Sequence, residues 1–311
     1  MCALFGFLDY GHKLSPKDLQ KLVQALANAS EVRGNHASGI AYNRGDHLTI
    51  YKRPKPAHKL KFMLPDGTSA VMGHTRFTTQ GSEKQNFNNH PFRGNAGTDF
   101  ALAHNGVLYN DHELRILEDL PQTEIETDSY IAVQLLEKQG DLEFNSLRYV
   151  GEHVRGSFTF TILDRENALY IIKGESPLYL IHFKELGLYV YTSTPDIMQK
   201  ALKQTVLRFL TFELINVSDR DLLKIAPDGS ILRDTFELLP AFLPKRAWFP
   251  KSTSQNGHEN ALDDLLDLCG YFGVSEDAVL YLHEMGCTYD EIEEYLWNPS
   301  VLDTELMLEE L

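Results

Sequence analysis

Cysteine is scarce in this 311-residue chain, occurring only at Cys2, Cys269 and Cys287. Cys2 stands in the opening MCALFGF. If Met1 is removed, one carbon carries both a thiol and a free amine, a nucleophile and a base that need no third group. A small second residue permits that removal. By position alone, Cys2 would equally suit a buried small hydrophobe, the usual fate of a free cysteine. Other polar residues are equally ambiguous one at a time. Asn105-Gly106 by itself reads as a hairpin turn. Arg33, just after a helix, reads as a charge complementing the helix dipole. Arg76 and Asp128 read as solvated surface charges.

The order of five short stretches changes that reading. RGNHASG (33–39), GHTRFTTQG (73–81), NNHPF (88–92), AHNG (103–106) and TDS (127–129) follow Cys2 along the chain. Together they resemble the glutaminase domain of class II glutamine amidotransferases. That family carries an N-terminal Cys, an RG…SG loop, GHTRWATHG, NAHP, HNG and TDSE in the same order. The resemblance runs over roughly residues 2–215. It implies that Cys2 attacks the side-chain amide of glutamine, with its own α-amine moving the proton. Asn105 and Gly106 would then form the oxyanion hole through a side-chain amide and a backbone N–H. Arg76 and Asp128 would grip the α-carboxylate and α-ammonium of the substrate, a planar guanidinium fork being suited to a carboxylate. Thr79 and His90 would line the same pocket, and Arg33 would lie near the nucleophile's amine. The family's Trp is Phe77 here, which keeps an aromatic lid. One family His is Gln80, which keeps hydrogen bonding but loses titration. The acid of the first loop is His36, a change that bears on how the loop closes.

Elements must carry these stretches. CALFGFLDY reads as a strand, and Ser15-Pro16 opens a helix with Leu19, Leu22, Val23 and Leu26 on one face through about Val32. IAYNRGDHLTIYKRP alternates as two strands about a turn at Arg44-Gly45-Asp46. VMGHTRF and FALAHNGVLYN are further strands, separated by an Asn/Gly-rich stretch too polar to be regular. Three helices follow, DHELRILEDL, DSYIAVQLLEKQG with an N-cap at Asp128-Ser129, and NSLRYVGEHV. Hairpins come next, then a helix PDIMQKALKQ and short strands with a turn at Pro227-Asp228-Gly229. Strands and helices do not alternate steadily, which argues against a parallel sheet. The resemblance implies an α+β fold, a four-layer αββα Ntn-hydrolase sandwich of two stacked antiparallel sheets. A glutaminase domain is expected over 2–243, a linker over 244–258 and an acidic helical tail over 259–311.

Charge is distributed unevenly. The net charge is −15, yet residues 1–251 hold 29 acids against 29 bases, so the imbalance lies in the 15 acids from Ser252 onward. An acidic tail repels phosphate and argues against nucleic acid as its partner. It suits a solvated surface or a basic docking partner. Val279, Leu282, Ile292 and Leu296 recur at helical spacing and fit a small local core. No apolar run reaches the roughly 18 residues of a membrane span. The cysteines match no zinc spacing, clustered histidines are lacking, and no phosphate loop of Walker type occurs. The expectations are therefore no metal, no cofactor, no membrane and a reducing cytoplasmic setting. Three functions fit: a glutaminase passing ammonia to a separate synthase docked through the tail, a γ-glutamyl amide or peptide hydrolase, and a silent scaffold. The complete set of catalytic residue types argues against the last.

Overall fold

The computed structural model describes residues 2–237, with 262, 266, 275–285, 287 and 292. The chain divides into two compact units, Met1–Ala241 and Phe242–Leu311. In the first, thirteen strands pair antiparallel throughout, in two sheets. One sheet of seven runs β11 (Glu213–Ile215), β9 (Tyr179–Phe183), β10 (Leu188–Thr192), β1 (Ala3–Asp9), β4 (Ala70–Arg76), β2 (Ala37–Arg44) and β3 (His47–Arg53). The other, of six, runs β13 (Ile231–Thr235), β12 (Asp221–Ile225), β8 (Leu169–Lys173), β7 (Gly156–Asp164), β6 (Asp99–Leu108) and β5 (Phe92–Asn95).

Period-two alternation sorts the side chains into layers. Along β1, Leu4 and Leu8 join the cluster between the sheets, with Met72 of β4 and Ala101 and Ala103 of β6. Phe5 and Phe7 face the other way, onto α1 (Pro16–Ser30) and α5 (Pro195–Leu202). Phe100 and Leu102 of β6 likewise turn outward, onto α3 (Tyr130–Gln139) and α4 (Phe144–His153). The layers are helix, sheet, sheet, helix, as expected. Apolar residues fill both faces of each central strand, because every face has something to pack on.

Local signals mostly act as read. Ser15 caps α1 by accepting from the Asp18 N–H, with Pro16 at the first turn. The turn at Gly45 has φ +62°. Asn105-Gly106, a turn by composition alone, lies inside β6, within the strand read over FALAHNGVLYN. Two expectations need correction. The polar stretch after β4 contains a strand, β5, whose Phe92 is buried and pairs with Leu102. The helix α3 has no side-chain cap at Ser129, and Asp128 serves β6 instead, as described below. In the second unit, Ser275 caps α6 (Glu276–Glu284), on which Val279 and Leu282 are buried. Ile292 is also buried, whereas Leu296 lies outside the described residues. The remaining α-helix of the first unit, among the described residues, is α2 (Asp111–Leu117). Among the described residues, no helix is long and apolar enough to cross a membrane.

Candidate active site

The β1–β4 register pairs Ala3 with Thr75 and Leu4 with His74. Cys2 is the residue just before β1 and Arg76 the last of β4, and each is within electrostatic reach of the other. Both share the parity of Leu4 and Met72, whose side chains face the second sheet. Across that space the His74 Nε2–H donates to the His104 carbonyl at 2.9 Å. This bond ties β4 to β6 one residue before Asn105. Cys2, Arg76 and Asn105 therefore occupy one end of the inter-sheet layer.

Cys2 is half-buried, and its Sγ lies 3.5 Å from the Phe77 carbonyl. Burial pushes its thiol pKa up; the Phe77 contact, the chain terminus and Arg76 oppose this, and Asp128 adds to it. Such a thiol stays protonated near neutral pH and needs a base to ionise. Arg33 Nε donates to the Cys2 carbonyl at 2.7 Å, pinning the backbone of that residue. The rest of the first loop closes over Arg76. The His36 N–H donates to the Arg76 carbonyl at 3.0 Å, and His36 Nδ1 accepts from the Thr78 N–H at 3.1 Å. The His36 ring stacks on Phe77 at 4.9 Å. A Cβ on Gly34 would lie 2.5 Å from the Arg76 carbonyl carbon, so only glycine allows that closure. His36, in place of an acid, thus holds the loop as an acceptor and a stacking surface.

Asn105 is buried, and its Nδ2 has only a 3.5 Å contact with the Pro177 carbonyl. Gly106 adopts φ +143°, and a Cβ there would sit 1.8 Å from the Ser157 carbonyl oxygen. This backbone is closed to every other residue. The Asp128 carboxylate accepts from the Leu108 N–H at 2.7 Å and from the Ser129 N–H at 2.8 Å. It also accepts the Ser129 hydroxyl at 3.1 Å. Ser129 Oγ lies 2.7 Å from His104 Nδ1. Asp128 is thereby fixed to the strand that carries Asn105 and Gly106.

Arg76 is 2 % exposed, and its own loop takes much of its fork. One nitrogen, Nη2, donates to the carbonyls of Gln80 and Gly81, and Nη1 donates to Asn89 Oδ1 at 2.8 Å. One hydrogen on Nη1 and the Nε–H remain, so the planar fork is not presented as a pair. Thr79 is exposed on that loop. His90 is buried between His74 at 4.2 Å and Phe92 at 4.4 Å, with no hydrogen-bond partner for either ring nitrogen. It lies in the interior, within electrostatic reach of Arg76. Burial holds His74, His90 and His104 below the ordinary histidine range, His74 at about 3. Sequence reasoning missed Asn88, Asn89, Lys52 and Glu126, which hold this loop. Asn88 and Asn89 open the NNHPF stretch and sit in an unusual density of amides over 85–89, whereas Lys52 and Glu126 left no such trace. A groove of about 430 Å³ between α5 and the 206–212 segment is lined by none of these residues. Among the described residues, no group of three His, Cys, Asp or Glu side chains could hold a metal ion.

Comparison with known proteins gives this arrangement its family. Residues 74–200 match the family model described as a glutamine amidotransferase domain. The chain is similar to class II, Ntn-type glutamine amidotransferases. It is 26 % identical over 230 residues to 7-cyano-7-deazaguanine synthase 2 of Sulfurisphaera tokodaii, covering 70 % of this chain and 49 % of that protein. Over 193 residues it is 32 % identical to the glutamine–fructose-6-phosphate aminotransferase of Staphylococcus aureus, covering 58 % of this chain and 30 % of that one. Glutamine phosphoribosylpyrophosphate amidotransferase of B. subtilis shares the fold, with a TM-score of 0.57 at 18 % identity, over 75 % of this chain and 49 % of that one. The amidotransferase chain described here spans about half the length of these relatives or less.

Proposed function

We propose that the domain hydrolyses the side-chain amide of glutamine, with Cys2 as nucleophile after loss of Met1. The observation that carries this reading is that Cys2, the residue before β1, lies within electrostatic reach of Arg76 at the end of β4, which His74 ties to the strand of Asn105 and Gly106. The α-amine of Cys2 takes the thiol proton, because a buried thiol does not ionise unaided. The sulfur attacks the amide carbon, and the oxyanion settles on Asn105 Nδ2 and the Gly106 N–H. The same amine returns its proton to the departing ammonia. Water then cleaves the thioester and releases glutamate. Arg76, through an N–H group its loop leaves open, receives the α-carboxylate. Asp128 receives the α-ammonium on carboxylate lone pairs not used by Leu108 and Ser129.

The partner in this reading is an ammonia-accepting synthase. The relatives named above are longer, and one is itself named a synthase, which supports an acceptor beyond this domain. The acidic stretch from Ser252 onward supplies a charge that a basic acceptor surface would bind. The test is release of glutamate and ammonia from glutamine by the processed protein beside Cys2→Ala. Equal, background-level release by both would refute the proposal.

A further inference from the structure

Two adjacent asparagines, Asn88 and Asn89, are fully buried in the polar turn between β4 and β5. They share a backbone but serve opposite sides of the site. Asn89 Oδ1 accepts from Arg76 Nη1 at 2.8 Å, and its Nδ2 donates to the Glu83 carbonyl at 2.8 Å. Its own carbonyl accepts from Lys52 Nζ, which stands 4.9 Å over the Phe92 ring. Asn88 Oδ1 accepts from the Glu126 N–H at 2.9 Å, and its Nδ2 donates to Glu126 Oε2 at 2.7 Å and to the Ser82 carbonyl at 3.2 Å. Glu126 lies two residues before Asp128.

The amide orientations follow from the partners. A guanidinium and a backbone N–H can only donate, so each must meet an oxygen, and the opposing carbonyls and carboxylate must meet the nitrogens. Each amide thus has its oxygen and its nitrogen engaged. An amide so satisfied, at full burial, has one allowed position. The peptide between the two residues then fixes the separation of what they hold.

From this geometry we infer that Asn88 and Asn89 act as one positioning unit, setting Arg76 and Asp128 at the spacing of the carboxylate and ammonium of one amino acid. Neither touches the reacting amide. Asn89 acts through Arg76 and so governs affinity for the α-carboxylate. Asn88 acts through the 126–128 segment and governs affinity for the α-ammonium. The inference rests on the reading of the site given above, and it predicts crossed effects that general loosening of the fold does not produce.

The test is protection of Cys2 from iodoacetamide by three ligands. L-glutamate carries both groups, glutarate lacks the amine, and 4-aminobutanoate lacks the α-carboxylate. In the wild-type protein glutamate should protect at lower concentration than either analogue. Asn89→Ala should cut the advantage of glutamate over 4-aminobutanoate about tenfold and leave its advantage over glutarate unchanged. Asn88→Ala should do the reverse. Should either variant fail to fold, Lys52→Met releases the Asn89 backbone carbonyl and Glu126→Ala releases the Asn88 side-chain nitrogen, loosening each asparagine separately, and the same crossed pattern is expected. Equal weakening of all three ligands, or no change, would overturn the inference. A wild-type protein that no ligand protects and that releases no glutamate would instead overturn the reading of the site, before any variant is made.

Discussion

Replacing Asn105 by alanine separates chemistry from stability more cleanly than any other change at this site. In the resting protein the Asn105 amide makes one marginal contact, 3.5 Å to the Pro177 carbonyl. Little folding energy is at stake, about 1 kcal/mol for a typical hydrogen bond and less at this length. In the transition state of the proposed reaction the same Nδ2 carries half of an oxyanion hole. Loss of one such donor costs about 2.7–4 kcal/mol, or 10²–10³ in kcat. The two magnitudes differ severalfold, and the assay reads them separately. Steady-state glutamate release should show kcat down by that factor with KM changed about threefold or less, because Arg76 and Asp128 are untouched. Thermal unfolding should move by only a few degrees. The rate of iodoacetamide capture by Cys2 should match wild type, since alkylation forms no oxyanion. A kcat within about tenfold of wild type in a folded, alkylatable variant would refute the role of Asn105.

Other outcomes follow from the same geometry. Gly106→Ala should lose about 3 kcal/mol or more of stability, from a forbidden φ together with a methyl 1.8 Å from the Ser157 oxygen; urea unfolding measures it, and a change below about 1 kcal/mol would count against the strand geometry. Acid should weaken the fold through the buried histidines. Unfolded, each binds a proton below about pH 6.5, whereas folded His74 resists until about pH 3. Between those values the unfolded state holds more protons, so stability falls as pH falls, by about 1.4 kcal/mol per pH unit per histidine. His90, held well below 6.5, should contribute the same slope, and His90→Phe should flatten urea-derived stability against pH by that amount; an unchanged slope would refute it. Protein that retains Met1 should react with iodoacetamide only at pH above the ordinary thiol range, burial having raised the pKa, and the processed form at lower pH; identical profiles would deny the amine its role. Removing residues 252–311 should leave glutamate release intact and abolish capture of the acceptor synthase, and an unchanged partner list would reject docking through the acidic stretch.

Much of the fold could be read from periodicity. Leu4 and Leu8 against Phe5 and Phe7 already imply a strand with two buried faces. The residues of the site were legible through the order of the five stretches, and their individual chemistry was not. Asn105-Gly106 had the composition of a turn and lies mid-strand, because φ +143° at Gly106 is set by the Ser157 backbone of β7, more than fifty residues further on. Asp128 had the position of a helix cap, but the Leu108 N–H competes for its carboxylate. The stretch TTQGSEKQNFNNHPFRGNAG reads as loop, since amides and glycines carry no hydrophobic period. Burial of Asn88 and Asn89 is decided by Arg76 and Glu126, which no local window contains. Arg76 itself was expected to present a free fork, and in the structure Gln80, Gly81 and Asn89 hold most of it.

The strand that follows Cys2 has a partner made very late. Leu4 is bonded to Ser193, 189 positions downstream, and β10 completes that flank of β1. At ribosomal speeds of about 5–20 residues per second, roughly 10–40 s separate the two ends. Through that interval the leading residues hang unclosed on one side, within reach of any peptidase that trims a nascent chain. Folding order would then act as a timer, closing the central sheet only after the amine has had its chance to be exposed.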